Sequence, residues 1–450
     1  MKIANLHTHT EFSNVSCGFK DSTNKVGELL DYAYDNDHAG IGVTDHESVT
    51  AHIRAFDWWE NKIKSAETEE EKEKAENFKV VLGNEIYLAR EDLTAENHQQ
   101  GESFFHFLLL AKNAEGQQQL RELSSMAWER SYMRNVMRRF NFVSDLKEII
   151  GKNQGNVVAT SACLGNIAGH AFLTMERSDA EATVDGYVNL MNEIFGEGNF
   201  YLELSPALYQ EQIDYNQFLY ERYAEKLPFV ITNDVHYLEK EDFRTLQVLL
   251  GEDRESENYY KYAHFMTWEE IVKNMNYIPT NFLKGAAQNA LDIVASSERY
   301  SLKHEQKIPT VPYKKTEVPQ ELLEEAQEHE FIKKFIHSEF PQDRQLIAEV
   351  LTNYLRIDGE INTDKRRKEV FERINLELGE LWGIGKIRED RISDYLLTMS
   401  WVIKKMWESG TLVGPGRGSA VAFIINYYLE ITDVNPIDYP LEIPHWRLTH

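Results

Sequence analysis

Two histidines stand one residue apart in LHTHTEFS (His7 and His9), and an aspartate and a histidine share that spacing in NDVH (Asp234 and His236). On an extended strand, residues two apart face the same side, so each pair aims its side chains at one place. A lone histidine is usually a surface or core residue. An H-x-H and a D-x-H that both close apolar runs are better read as metal ligands. Other apolar runs end on the same residue types: His46 in TDH, with Asp45 as a supporting carboxylate, Glu85 in GNE, His106 in FFHF and Cys163 in TSAC. Asp21 reads either as a ligand or as the N-cap of a helix starting near Lys25. Cys163 reads equally as a small buried apolar residue, and no adjacent base marks it as a nucleophile. Imidazoles, carboxylates and one thiolate together suit Zn²⁺, Mn²⁺ or Fe²⁺ better than Mg²⁺ or Ca²⁺. The set is too large for one tetrahedral ion, so two or three divalent metals are expected. Such clusters stabilise the attacking and leaving oxygens of a phosphoester, which makes phosphate ester hydrolysis the leading chemistry.

These residues need a scaffold. KIANLHTH, AGIGVTDH, KVVLGNEIYL, FFHFLLLAK, NVVATSACLG, FYLELS and PFVITNDVHY are seven short apolar runs, each followed by a helical pattern. Strands alternating with helices predict parallel β/α units, and runs apolar on both faces fit a barrel. In such barrels chemistry collects at the carboxyl ends of the strands. After about residue 245 the pattern becomes helical, from Phe243 to Asn289 and again from about Glu321 to Met406, with the Pro-rich HEQKIPTVPYKKTEVP between. Two domains are expected, residues 1–290 and 291–450.

The chain has 450 residues and a net charge of −26, the wrong sign for binding nucleic acid through overall charge. Bound cations and a few arginines can still hold a phosphodiester. Part of the acidity sits in SAETEEEKEKAEN and PQELLEEAQEHE, which read as solvated helix faces. ERSYMRNVMRR and DKRRK are small basic clusters that read either as a backbone track or as surface charge. No apolar run is long enough to span a bilayer, and the N-terminus has no apolar signal core. The two cysteines, Cys17 and Cys163, suggest no disulfide framework. A cytoplasmic location is therefore expected.

LHTHTEFS, GVTDHES, GNEIYL, ATSACLGN and ITNDVHYL, in this order, resemble the motifs of the PHP (polymerase and histidinol phosphatase) superfamily. More closely, they resemble the PHP domain of bacterial C-family DNA polymerases, the family of the replicative polymerase III alpha subunit. The resemblance implies an α/β fold: a distorted seven-stranded (β/α) PHP barrel, followed by a mostly helical segment and the first part of a nucleotidyltransferase-like palm. It also implies nine ligands of a trinuclear cluster, at His7, His9, Asp21, His46, Glu85, His106, Cys163, Asp234 and His236. Glu85 would bridge two metals. His7, His9 and Asp234 would complete one site, His106 and Cys163 a second, and Asp21, His46 and His236 the third. Glu85, Asp234 and His236 are the expected catalytic residues. The implied activity is 3′–5′ exonuclease or a related phosphoesterase action.

LVGPGRGSAVAFIINYYLEITDVNP resembles the segment that opens the palm of the same polymerases. A glycine-rich turn that runs into a helix offers backbone N–H groups and a dipole to a phosphate. Arg417 adds a fixed charge and Ser419 a hydroxyl donor. The resemblance implies that Gly416, Arg417, Gly418 and Ser419 grip the triphosphate of an incoming dNTP. Polymerisation also needs Mg²⁺ on palm carboxylates, yet after Ser419 only Glu430, Asp433, Asp438 and Glu442 are acidic, with no D-x-D pair. The expectation is a polymerase in pieces, with a second polypeptide carrying the remaining palm, thumb and fingers. A split-intein junction and a pseudo-polymerase with a working PHP site are the alternatives. An unfinished palm sheet would leave an unpaired strand edge. DNA primer–template and a sliding clamp are the implied partners, and no membrane is. Two rival readings are a stand-alone phosphoesterase acting on small phosphate esters and a non-catalytic scaffold whose metals serve folding.

Overall fold

The computed structural model describes residues 1–16, 20–97, 104–251, 259–305, 307–359, 363–388 and 390–439. Cys17 lies outside them. The chain divides into two compact units, Met1–His304 and Glu305–His450. The expected boundary at residue 290 would cut through a helix, Thr280–Ser296, that packs on the strands of the first unit.

In the first unit, seven strands form one sheet in chain order: β1 (Ala4–Asn5), β2 (Gly40–Val43), β3 (Lys79–Leu88), β4 (Phe105–Ala111), β5 (Val157–Thr160), β6 (Phe200–Leu204) and β7 (Phe229–Ile231). A parallel bridge between Thr8 and Val235 joins the two outer strands and nearly closes a barrel. The helices between strands are α1 (Ser13–Ser16), α2 (Val26–Asp35), α3 (Ala51–Lys64), α4 (Glu69–Asn77), α5 (Ala114–Met133), α6 (Val143–Ile149), α7 (Ile167–Thr174), α8 (Arg177–Phe195) and α9 (Gln210–Tyr223). Then follow α10 (Phe243–Leu250), α11 (Trp268–Asn274) and α12 (Thr280–Ser296).

The strands are not all parallel, as the runs alone predict. β4 is antiparallel to both β3 and β5. A parallel return requires a crossover long enough to span the sheet. The described residues between β3 and β4 contain no helix to make one.

Alternation along the strands separates two cores. Phe107, Leu109, Val157, Ala159, Phe200, Leu202, Phe229 and Ile231 pack outward under helices, with Tyr187, Met191 and Phe195 of α8. Leu108, Leu110, Val81, Val158 and Val230 face inward and meet Ile293 and Val294 of α12, which plugs the barrel. Continuing the inward register carries Glu85 on β3, His106 on β4, Thr160 on β5 and Glu203 on β6 to the other end of the barrel. The close approach of the first two strands needs Gly42, because a Cβ there would lie 2.3 Å from the Leu6 carbonyl oxygen.

α4 is the solvated acidic helix the sequence predicts: only Ala75 is buried, and Thr68 and Glu71 form a capping box at its start. The second unit is helical: α13 (Gln320–Glu328), α14 (Glu330–Ile336), α15 (Pro341–Asp358), α16 (Asp364–Arg388), α17 (Ser393–Glu408) and α18 (Ile424–Tyr428). They enclose Phe335, Leu346, Val350, Tyr354, Phe371, Leu378, Leu397 and Phe423. No strand occurs among its described residues, so the expected unfinished sheet edge is not found there. Leu346, Val350 and Tyr354 on one side of α15, and Phe371, Ile374 and Leu378 on α16, recur at helical spacing.

Candidate metal centre

His7 and His9 follow β1, Asp234 and His236 follow β7, and backbone bonds lock the two segments together: His9 N–H donates to the Val235 carbonyl (2.8 Å) and Val235 N–H to that of His7 (3.2 Å). All four side chains reach the same end of the barrel. His46 follows β2, Glu85 lies within β3, and Cys163 follows β5. His106 reaches the same end from the amino end of its strand, because β4 runs backward. The sequence places it at a strand end without the direction.

His7 Nε2 lies 3.3 Å from Glu85 Oε2 and 3.4 Å from Asp234 Oδ1. His9 Nε2 lies 3.1 Å and 3.0 Å from the same two oxygens. All four atoms are buried, and none makes a hydrogen bond. Ligands at 2.0–2.1 Å from a tetrahedral ion stand about 3.3 Å apart, so this spacing fits one such ion. His46 Nδ1 lies 2.9 Å from Glu85 Oε2, and its Nε2 lies 3.0 Å from Asp21 Oδ2. His106 Nδ1 is 2.8 Å from Glu85 Oε1 and 3.5 Å from Cys163 Sγ. His236 Nε2 is 3.8 Å from Asp21 Oδ2. The donor atoms fall into three overlapping groups: His7, His9 and Glu85; His46, Glu85 and His106; His9, His46 and His236. All nine expected ligands therefore meet in one cluster. Asp21 is fully buried against the histidines, while α2 starts at Val26 with Lys25 as its N-cap, so Asp21 is not that helix's cap.

The electrostatics show what these groups lack. Burial opposes a proton on His7, yet the carboxylates of Asp234, Glu85 and Glu203 overcome it and hold its pKa well above the ordinary value. His46 is likewise disfavoured by burial but raised to about 9 by Glu85 and Asp21. Glu85 is held well below the usual carboxylate range: burial is outweighed by the charges of His7, His46 and His106. Burial and then Glu85 and Asp234 push the Cys163 thiol up. Buried carboxylates thus call for positive charge, which protonated imidazoles or divalent cations can supply.

A second layer fixes the rings. His7 Nδ1 bonds Glu203 Oε1 (2.8 Å), and Glu203 Oε2 accepts the Thr160 hydroxyl (2.6 Å). His9 Nδ1 bonds Ser13 Oγ (3.0 Å), which donates to Asp45 Oδ1 (2.7 Å). With Nδ1 bonded in this way, each ring turns its Nε2 toward the cluster. Glu203 escaped the sequence reading, although a carboxylate inside the apolar run FYLEL was a visible signal. Asp45, expected beside His46, accepts from Thr10 and Ser13 and so reaches the His9 ring through Ser13. Gly165 packs on His106, where a Cβ would sit 3.0 Å from the ring.

Both basic clusters are tied up locally. Arg130 makes a two-pronged pair with Asp145 (2.6 and 2.8 Å), and Arg139 lies over Trp128. Arg366 pairs with Asp438 at 2.7 Å and Arg367 with Glu325. Arg138 stacks 4.6 Å over Tyr87, whose ring meets His106 edge-on at 4.8 Å.

In the second unit, Gly416 (φ 124°) and Gly418 (φ 59°) both take left-handed backbone angles. Arg417 is exposed. The glycine-rich turn does not run straight into the helix. A short 3₁₀ segment, Gly418–Ala422, intervenes. The N–H groups of Ile424 and Ile425 at the start of α18 are taken by the carboxylate of Glu377 (2.8 and 3.0 Å). The helix terminus is thus already occupied by a side chain, whereas Gly416, Arg417 and Gly418 of the turn are exposed.

Residues 5–207 match the PHP domain, and residues 343–448 match the bacterial DNA polymerase III alpha NTPase domain. The chain is 33% identical over 470 aligned residues to a probable DNA polymerase of Bacillus subtilis (strain 168) and, equally, to a DNA-directed DNA polymerase of Bacillus phage SPbeta. Each alignment covers 99% of this chain and 35% of the relative. It is 25% identical to the DNA polymerase III subunit alpha of Treponema pallidum (strain Nichols), over 98% of this chain and 33% of that protein. The chain thus spans about a third of the length of these relatives. It carries a PHP domain followed by a bacterial DNA polymerase III alpha NTPase domain, and it is related along its length to bacterial and phage DNA polymerases.

Proposed function

We propose that the first unit binds two or three divalent metals and hydrolyses phosphodiesters at DNA 3′ ends, as the nuclease part of a polymerase III alpha-like enzyme. The observation that carries this reading is the convergence of His7 Nε2, His9 Nε2, Glu85 Oε2 and Asp234 Oδ1, buried and without hydrogen bonds, at the spacing of one coordination shell. His106 reaches Glu85 and Cys163, and His46 reaches Glu85 and Asp21; His106 and Cys163 would serve a second metal, and Asp21, His46 and His236 a third. When bound, the metals supply Lewis acidity to the phosphoryl and leaving oxygens. The protein's part is to hold the imidazoles of His7 and His9 by Nδ1, through Glu203 and Ser13, so that each Nε2 would face a metal that displaces the ring proton. Water adds its oxygen to phosphorus, the bond to the 3′ oxygen of the preceding nucleotide breaks, and that oxygen takes up a proton.

Polymerase action belongs to the same proposal. Gly416, Arg417, Gly418 and Ser419 would contact the phosphates of a dNTP, and a segment or second polypeptide bearing Mg²⁺-binding carboxylates would complete the site on primer–template DNA. Residues 1–450 alone would then shorten a primer and not extend it. The experiment is a 5′-labelled primer–template with Mn²⁺, with and without dNTPs. Shortening that His7→Ala/His9→Ala abolishes, without extension, supports the reading. Extension, or hydrolysis of small phosphomonoesters in strong preference to DNA ends, overturns it.

A further inference from the structure

Beside the metal centre the barrel end opens into a cavity of about 370 Å³. Part of its lining is the centre itself, including His106, Cys163 and His236. Much of the rest is aromatic: Tyr209, Tyr259, Tyr260 and Tyr262. Tyr260 meets the His236 ring edge-on at 4.8 Å, so the aromatic wall starts at the ligands. Tyr259 stands edge-on to Tyr209 at 5.1 Å and is 56% exposed. Among the described residues no lysine or arginine lines the cavity.

This division of labour points to one kind of occupant. Among the described residues, a phosphate entering here finds positive charge at the centre alone. The remaining wall offers ring faces and edges, which suit a planar, uncharged group. The volume lies at the lower end of small-molecule sites, enough for one nucleoside. Small phosphate esters without an aromatic group would leave the tyrosines unused.

Resting on the proposal that the centre cuts DNA 3′ ends, we infer that this cavity receives the unpaired 3′-terminal nucleobase and that Tyr259 stacks on it. The enzyme would then select frayed or single-stranded ends, because a paired terminal base must leave its partner to enter. The test uses 5′-labelled single-stranded oligothymidylates ending in either an ordinary nucleotide or a tetrahydrofuran abasic nucleotide, with the whole chain and Mn²⁺. Removal and equilibrium binding are both measured. Wild type is expected to favour the ordinary end about tenfold or more, the scale of one base–aromatic stack. Tyr259→Ala should bring the ratio close to one, and Tyr259→Phe should keep it. Equal handling of both ends by wild type, or a preference that survives in Tyr259→Ala, overturns the inference while the nuclease reading stands. Absence of cleavage at every metal concentration overturns the nuclease reading. The binding ratio then still decides whether the cavity holds a base.

Discussion

Glu203 Oε1 lies 2.8 Å from His7 Nδ1, and both side chains are buried. This contact sets which nitrogen of His7 faces the metal centre. It ties a residue on β6 to the segment after β1, which the Thr8–Val235 bridge sets beside the segment after β7. Glu203→Ala should therefore weaken metal binding about 10- to 100-fold while the fold persists. Isothermal titration with Mn²⁺ or Zn²⁺ measures it, and unchanged affinity would remove Glu203 from the account.

Metal binding should also release protons. In the metal-free chain His46 is raised to about 9, against about 6.5 in an unfolded chain. The stabilisation from that proton is complete below about 6.5 and is lost as pH rises through about 9. A metal takes the proton's place, so affinity should rise with pH across that window. Titrations in buffers of different ionisation enthalpy would show the release. A pH-independent affinity from 6.5 to 9 contradicts it.

The acid side has a separate cause. His52 is buried, donates to the Gly83 carbonyl (2.7 Å) and is pushed down to about 4 by burial. The unfolded chain takes up that proton near 6.5, so stability falls as pH drops from about 6.5 to 4, by at most about 1.4 kcal/mol per pH unit for this group. Urea unfolding of wild type and His52→Gln over that range checks it: the variant should show a shallower fall.

Much of the centre is legible in the sequence because H-x-H and D-x-H at strand ends force side chains to one side. The less legible parts depend on contacts far apart in the chain. The reversal of β4 shows in its antiparallel pairing with β3 and β5, which an apolar run does not report, and so His106 enters from a strand's amino end. Glu377 is 47 positions from the Ile424 N–H it satisfies, and no local pattern in GPGRGS reveals that the helix end is already capped. The first unit extends past residue 290 because α12 packs on β7 and β1 of the barrel.

That cap yields its own prediction. Glu377 is fully buried and accepts from Ile424, Ile425 and Arg373. Glu377→Ala leaves two N–H groups and a guanidinium without this partner and should cost the second unit about 3 kcal/mol. Denaturant unfolding monitored by hydrogen exchange at α18 separates this from any change in the barrel.

The most direct test of the central claim is anomalous diffraction from crystals grown with Mn²⁺. Two or three peaks should appear at the barrel end, one of them within bonding distance of His7 Nε2, His9 Nε2, Glu85 Oε2 and Asp234 Oδ1. No peak there, with all nine side chains ordered, would contradict the metal centre and the hydrolysis built on it.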